Sequence, residues 1–221
     1  MQMLTGNLAP TAGEIKINGI DLLDQPRQAK RYLGYLPENP PIYRDMTVNE
    51  YLRYCAELRQ IPKSEQINAI AKARQRCDLD SVQKRLIANL SKGFRQRVGI
   101  AQAILHQPAV VILDEPTVGL DPLQIREIRN LIRELGNEHA VILSTHILPE
   151  VQAICDRVQM MHQGRAIFNE KLTTLNNGLA TRLVMECMQD IKPDKISAIT
   201  GVDEVVSLGH GSYEVSHIAG I

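Results

Sequence analysis

Val110-Val-Ile-Leu-Asp-Glu-Pro116 constrains the fold of this chain more than any other stretch. Four aliphatic residues in a row suit a strand buried on both faces, the environment of a parallel sheet. The two carboxylates that close the run then fall at the C-terminal edge of the strand, where open α/β sheets bind ligands. Ala140-Val-Ile-Leu-Ser144 reads as a second buried strand. Between the two, Pro122 at a first helical position and Gly136 beyond a last turn bracket a helix with Ile125, Ile128, Ile132 and Leu135 inward. Strand, helix and strand of this length imply a right-handed crossover and a parallel sheet.

The stretch ahead of this unit has a different texture. Glu14-Ile-Lys-Ile-Asn18 alternates before a glycine and reads as a strand with one buried face, and Asn39-Pro-Pro41 marks a loop. Thr47-Val-Asn-Glu50 has the form of a capping box, in which threonine and glutamate each satisfy a backbone N–H left bare by the first turn. Val48, Tyr51, Leu52, Cys55 and Ala56 behind it share one helical face. A second helix is expected from Ser64 to Cys77, so residues 47–91 read as all-helical, and Gly93–Leu105 is helical by the spacing of Val98, Ala101, Ile104 and Leu105. After Cys155, Arg157–Met161 and Arg165–Phe168 form an expected hairpin across His162-Gln-Gly-Arg165, and Asn176-Asn-Gly178 reads as a linker. Arg182–Cys187 as a strand, Asp194–Ile199 as a short helix and a strand pair around Gly209-His-Gly211 predict a small α+β unit.

Composition narrows the function classes. The 25 basic and 25 acidic residues give a formal net charge of zero, without the basic footprint a nucleic-acid partner usually requires. Apolar runs such as Ala109–Leu113 fall far short of the roughly 20 residues a membrane span needs. Met1–Gly6 lacks the basic start and apolar centre of a secretory signal. Cys55, Cys77, Cys155 and Cys187 contain no C-x-x-C pair, which favours reduced thiols over a disulfide framework or a zinc site.

The chemistry-bearing residues sit where such a sheet would present them. Asp114 and Glu115 at a strand end suit a magnesium-holding carboxylate and a neighbour that orients water, although a core strand with a solvated acidic turn would look the same. Leu90-Ser-Lys-Gly-Phe opens a helix with a hydroxyl and bare N–H groups at its positive end, apt for a phosphate, although a plain serine N-cap would suffice. Gly119-Leu-Asp-Pro122 leads into the next helix, where Asp121 is equally an ordinary N-cap. Ser144-Thr-His146 ends the second strand with an imidazole that could meet a phosphate or water, or be structural.

Taken in order, L-S-x-G, aliphatics with D-E-P, G-L-D-P and S-T-H resemble the ABC (ATP-binding cassette) ATPase family, over the chain from Met1 to about Lys171. The resemblance implies a P-loop NTPase-like parallel sheet in an ATPase domain spanning 1–175, with an inserted helical subdomain at 47–91 and a small C-terminal α+β extension at 181–221 that is expected to be incomplete. It makes Ser91, Lys92 and Gly93 a signature loop that touches ATP held by a partner subunit. Asp114 becomes the Mg2+ carboxylate, Glu115 the catalytic one, His146 the switch histidine and Asp121 part of the dimer-interface loop. Tyr35-Leu-Pro-Glu38 is identified with the segment that senses magnesium and couples to the membrane partner, with Glu38 a metal contact where glutamine is usual. Lys92 likewise replaces the commoner glycine, and both variants resemble the export-type branch of drug-efflux and gliding-motility cassettes.

The same family carries a phosphate loop, G-x-x-x-x-G-K-[ST], that occurs nowhere in the 221 residues. Met1 is therefore expected to fall just past that loop, and the chain alone is expected to bind ATP poorly, because no backbone nest or lysine cradles the phosphates. The expected whole is a cytoplasmic ATPase subunit at the inner face of the cell membrane. It would pair with a second ATPase subunit and drive permease chains that are separate, with no nucleic-acid partner. An inactive or regulatory remnant and a soluble non-transport ABC ATPase stand as alternatives.

Overall fold

The computed structural model describes residues 1–173, 180–187, 191–199, 202, 204–209 and 212–218, so the expected linker at Asn176–Gly178 lies outside the described residues. The chain divides into two compact units, Met1–Ile154 and Cys155–Ile221.

The first unit opens with β1 (Lys16–Ile17) and β2 (Ile20–Asp21), an antiparallel pair turning through Asn18 and Gly19, both in the left-handed region at φ 50° and 78°. The expected strand at 14–18 is thus half of a short hairpin, and Asn-Gly is the dipeptide that such a turn favours. The chain continues through α1 (Pro26–Ala29), β3 (Leu33–Leu36), α2 (Val48–Leu58), α3 (Lys63–Arg76), α4 (Lys92–Ile104), β4 (Val110–Asp114), α5 (Pro122–Leu135), β5 (Ala140–Ser144) and α6 (Leu148–Ile154). β3, β4 and β5 form a parallel sheet in that order, in unbroken register from Leu33↔Val110 and Val110↔Ala140.

The run of aliphatics in β4 is explained by two cores. Val111 and Leu113 pack into the large cluster with Leu36, Val98, Ile104, Ile128 and Leu135. Ile112, on the opposite face by the two-residue period of a strand, joins Ile17, Leu22, Ala29 and Leu33. β5 departs from the expected burial. Val141 and Leu143 pack against the large core, but Ala140 and Ile142 are exposed, Ile142 by 38%. Among the described residues β5 is an edge strand whose second face carries no covering layer, and only one of its faces is buried.

The helical segment follows its sequence signals closely. Thr47 and Glu50 form the complete capping box, and Val48, Tyr51, Leu52, Cys55 and Ala56 are all buried. The segment leaves and rejoins the sheet through one neck: Thr47 bridges Leu86, Ile87 N–H donates to Met46 O at 2.9 Å and Ala88 N–H to Arg44 O at 2.9 Å. Arg97 on α4 ties it further, donating to Cys77 O at 3.1 Å and to Glu127 on α5 at 2.7 Å. On α5 the buried face is Ile128, Leu131, Ile132 and Leu135, with Ile125 half-buried at its margin.

In the second unit β6 (Arg157–His162) and β7 (Arg165–Lys171) form the expected hairpin, turning at Gln163 and Gly164 with φ 47° and 75°. β8 (Ala180–Glu186), α7 (Pro193–Ser197), β9 (Glu204–Gly209) and β10 (Ser212–Ile218) complete it, with antiparallel order β8-β10-β9 and a small core of Ile196, Tyr213 and Val215.

Gly34 is where β3 meets α4: a Cβ there would overlap the carbonyl oxygen of Ala103 and lie 3.0 Å from Pro108 Cγ. Backbone cannot swing aside as a side chain can, so Gly34→Ala is expected to lose about 1–3 kcal/mol. Thr47→Ala, which removes only the cap, is expected to lose about 1 kcal/mol. Urea denaturation of the two variants measures both.

Candidate functional site

The parallel register places Asp114 opposite Ser144. From there the chain turns sharply at Glu115, whose φ of 46° is unusual for a side chain of its size. The turn is held by two bonds from Glu115 N–H, to Ser144 O at 3.1 Å and to Ser144 Oγ at 3.2 Å. Ser144 Oγ in turn donates to Asp114 Oδ1. One serine therefore fixes the orientation of both carboxylate residues.

Glu115 points back across the sheet end to His146, with Oε1 2.9 Å from Nδ1. The hydrogen bond to Glu115, then the charge of that carboxylate, holds the His146 imidazole above its ordinary pKa. The imidazole is 72% exposed and the Glu115 side chain 20%. Glu115 Oε2 is buried with no hydrogen-bond partner, an acceptor left available for a proton or a cation. Tyr35 on β3 faces Asp114. Burial first, and next the Asp114 charge, raise its phenol above the usual value. Glu38 is exposed, and its charge is a small contributor to the raised His146 value.

A second group gathers at the start of α4. Ser91 is its N-cap, accepting from Phe94 N–H at 3.3 Å, and its hydroxyl retains a free donor. No acidic residue occupies the first turn. Gly93 is buried, and a Cβ there would come within 2.7 Å of the end of the Gln124 side chain on α5, so a larger residue would have to displace that flexible side chain. The Lys92 ammonium lies directly against Gly119. Asp121 caps α5 by accepting from Gln124 N–H at 2.9 Å. Asp114, Glu115 and His146 are thus assembled at one sheet edge, and Ser91, Lys92, Gly93 and Asp121 at two adjoining helix starts. Among the described residues no hydrogen bond or ion pair joins the two groups.

Sequence reasoning placed Ser144 and Tyr35 within motifs but gave neither a role of its own, and it passed over Thr117 and Glu150. Glu150 carried no motif signal, yet it is 1% exposed and accepts from Thr117 Oγ1 and Thr145 Oγ1 at 2.9 and 3.0 Å. Among the described residues no cluster of three or more His, Cys, Asp or Glu side chains could hold a metal. The hard carboxylate oxygens of Asp114, half-buried at the end of β4, suit magnesium, which takes one or two carboxylates and completes its shell with water and phosphate oxygens.

The family described as ABC transporter matches residues 1–118, more than half of the chain. An uncharacterized ABC transporter ATP-binding protein of Bacillus subtilis, YxlF, is 37% identical over 83% of this chain and 60% of its own length. The ABC transporter ATP-binding protein NatA of Bacillus subtilis is 36% identical over 79% of this chain and 72% of its own. Among solved structures, CbiO1 of Clostridium perfringens, described as part of the ABC transporter complex cbiONQ, superposes with a TM-score of 0.71 at 27% identity. That match covers 79% of this chain and 72% of CbiO1. The chain belongs to the ABC transporter ATP-binding family. It spans about 60% of the length of YxlF.

The Glu115 contact carries a pH prediction. His146 in the 221-residue chain is expected to titrate above about 6.5, and Glu115→Gln to bring it back toward that value. A histidine raised on folding stabilises fully below its unfolded pKa, and that contribution is lost as pH rises through the folded one. NMR titration of the ring signals reads the shift.

Proposed function

We propose that the chain is the greater part of an ATP-binding and ATP-hydrolysing subunit of an ABC membrane transporter, of the export type. The observation that supports this best is the Glu115–His146 contact of 2.9 Å beside Asp114, in a member of this family. Glu115 acts as the base: its buried, unpartnered Oε2 accepts the proton of a water that attacks the terminal phosphate. His146, held in place by its bond to Glu115, faces the same phosphate. Asp114, oriented by Ser144, would hold Mg2+, with Glu38 as a second ligand. When bound, Mg2+ neutralises charge on the phosphates.

Ser91, Lys92 and Gly93 meet the ATP held by a second copy, which places two nucleotides between paired subunits. Ser91 donates its free O–H, and the first turn of α4 adds a positive end that no acidic residue in that turn offsets. Asp121 lies in the loop at that interface. Residues 1–175 form the ATPase domain with its helical subdomain at 47–91, and 181–221 a C-terminal extension. Transport itself runs through permease chains that are separate, with the subunit bound at the cytoplasmic face of the membrane. This is supported by the lack, among the described residues, of any helix long and apolar enough to cross one. The description of CbiO1 as part of a transporter complex supports it too.

No G-x-x-x-x-G-K-[ST] loop occurs within these 221 residues. The test therefore begins with the coding sequence upstream of Met1. An in-frame loop of that form supports the reading, and its absence favours a regulatory remnant. In the chain extended by that segment, Glu115→Gln is expected to slow hydrolysis by about 10²–10⁴-fold while ATP binding persists. His146→Ala is expected to cripple hydrolysis in the same assay. Ser91→Ala is expected to weaken ATP-driven dimerisation beyond the roughly 1 kcal/mol of stability that a lost cap explains. Near wild-type turnover in the first two variants would refute the assigned roles.

A further inference from the structure

Glu150 is a charged side chain that is almost completely enclosed, and the proposed mechanism makes no direct use of it. Enclosing a carboxylate is costly unless its lone pairs are filled, and here three groups fill them. Oε2 accepts from Thr117 Oγ1 at 2.9 Å and from Thr145 Oγ1 at 3.0 Å, and Oε1 lies 3.4 Å from a guanidinium nitrogen of Arg129. Those donors come from three places. Thr117 lies in the turn two residues after Glu115 and is itself 2% exposed, Thr145 directly precedes His146, and Arg129 projects from α5.

The Thr145 hydroxyl is a relay. It donates to Glu150 and accepts from Ile147 N–H at 3.1 Å, so the residues on both sides of His146 are tied to one oxygen. The first turn of α6 then presents Glu150 back to that oxygen, with Glu150 N–H donating to Ile147 O at 2.9 Å. Among the described residues, the other bonds from this segment to Glu115 are that of His146 itself and those of Ser144, which act on the backbone at Glu115 rather than on the histidine.

We infer that Glu150 is a positioning residue that clamps the Thr145–His146 segment to the turn after Glu115 and thereby fixes the His146–Glu115 contact. Its effect on hydrolysis rests on the reading of that contact as the hydrolytic pair. Its effect on geometry does not.

The experiment has two arms. In the 221-residue chain labelled with 15N-histidine, the ring nitrogen shifts of His146 are recorded at one fixed pH. Thr145→Val, which keeps size and leaves the Glu150 charge paired with Thr117 and Arg129, is expected to move those shifts toward the Glu115→Gln pattern. Glu150→Gln should do the same, and Thr145→Ser should restore the wild-type pattern. A merely structural role would lower the unfolding temperature and leave the ring signals unchanged, so folded Thr145→Val protein with wild-type shifts overturns the inference, whether or not Glu150→Gln folds. In the extended, hydrolysing protein, Thr145→Val is expected to lower kcat by about 10–100-fold with KM for ATP nearly unchanged, the usual size of an effect exerted through a neighbouring ligand. An extended wild-type protein that hydrolyses no ATP would refute the proposed function, while the ring shifts would still decide the role of Glu150.

Discussion

In-register parallel pairing of β4 with β5 sets Asp114 opposite Ser144, and every later contact of the site is referred to that pair. Parallel strands end together at one edge, so residues far apart in sequence arrive side by side without any loop having to reach. Asp114 and Ser144 are thirty positions apart, yet their side chains bond directly because the ladder beneath them does not slip. A one-residue slip would turn Val111 and Leu113 out of the large core and Ile112 into it, which two separate hydrophobic clusters oppose. Burial thus sets the register, and the register sets the carboxylates.

Electrostatics then shapes what packing has assembled. The site edge holds three carboxylates in a partly enclosed space, and each has at least one oxygen answered locally. Ser144 donates to Asp114, His146 lies on Glu115, and two threonines with Arg129 surround Glu150. One oxygen, Glu115 Oε2, is buried and left without a partner. An unfilled acceptor amid filled ones is where a protein stores reactivity rather than stability.

How legible this was in the sequence differs from residue to residue. Four aliphatics before Asp114 could only be a two-faced strand, and the Thr47–Glu50 box and Pro122 announced helix starts by chemistry that is local to a few residues. β3 was harder, since Leu33-Gly-Tyr-Leu36 is short and carries a glycine whose purpose, room for the Ala103 carbonyl, exists only in three dimensions. Ile142 misled for the same reason: its neighbours in sequence match those of β4, but cover is a property of what packs above a strand. Glu150 looks in sequence like any solvated helix residue, because the hydroxyls that enclose it are brought by two other segments. Gly93 could be singled out by its motif, but its neighbour Gln124 on α5 could not.

The neck of the helical segment has its own consequence. Residues from Arg44 to Thr47 are zipped to Leu86–Ala88, so the forty or so residues between begin and end at one point on the surface of the fold. The chain path therefore closes here as it would across a short loop, while the inner face of the arm still packs into the large core with Leu36, Val111 and Leu113. Lengthening or rebuilding a segment closed in this way costs little in chain entropy, which grows only slowly with loop length. The strands below can keep their register while the outer surface diverges, so one sheet edge can be retained while what is grafted above a fixed clasp is exchanged.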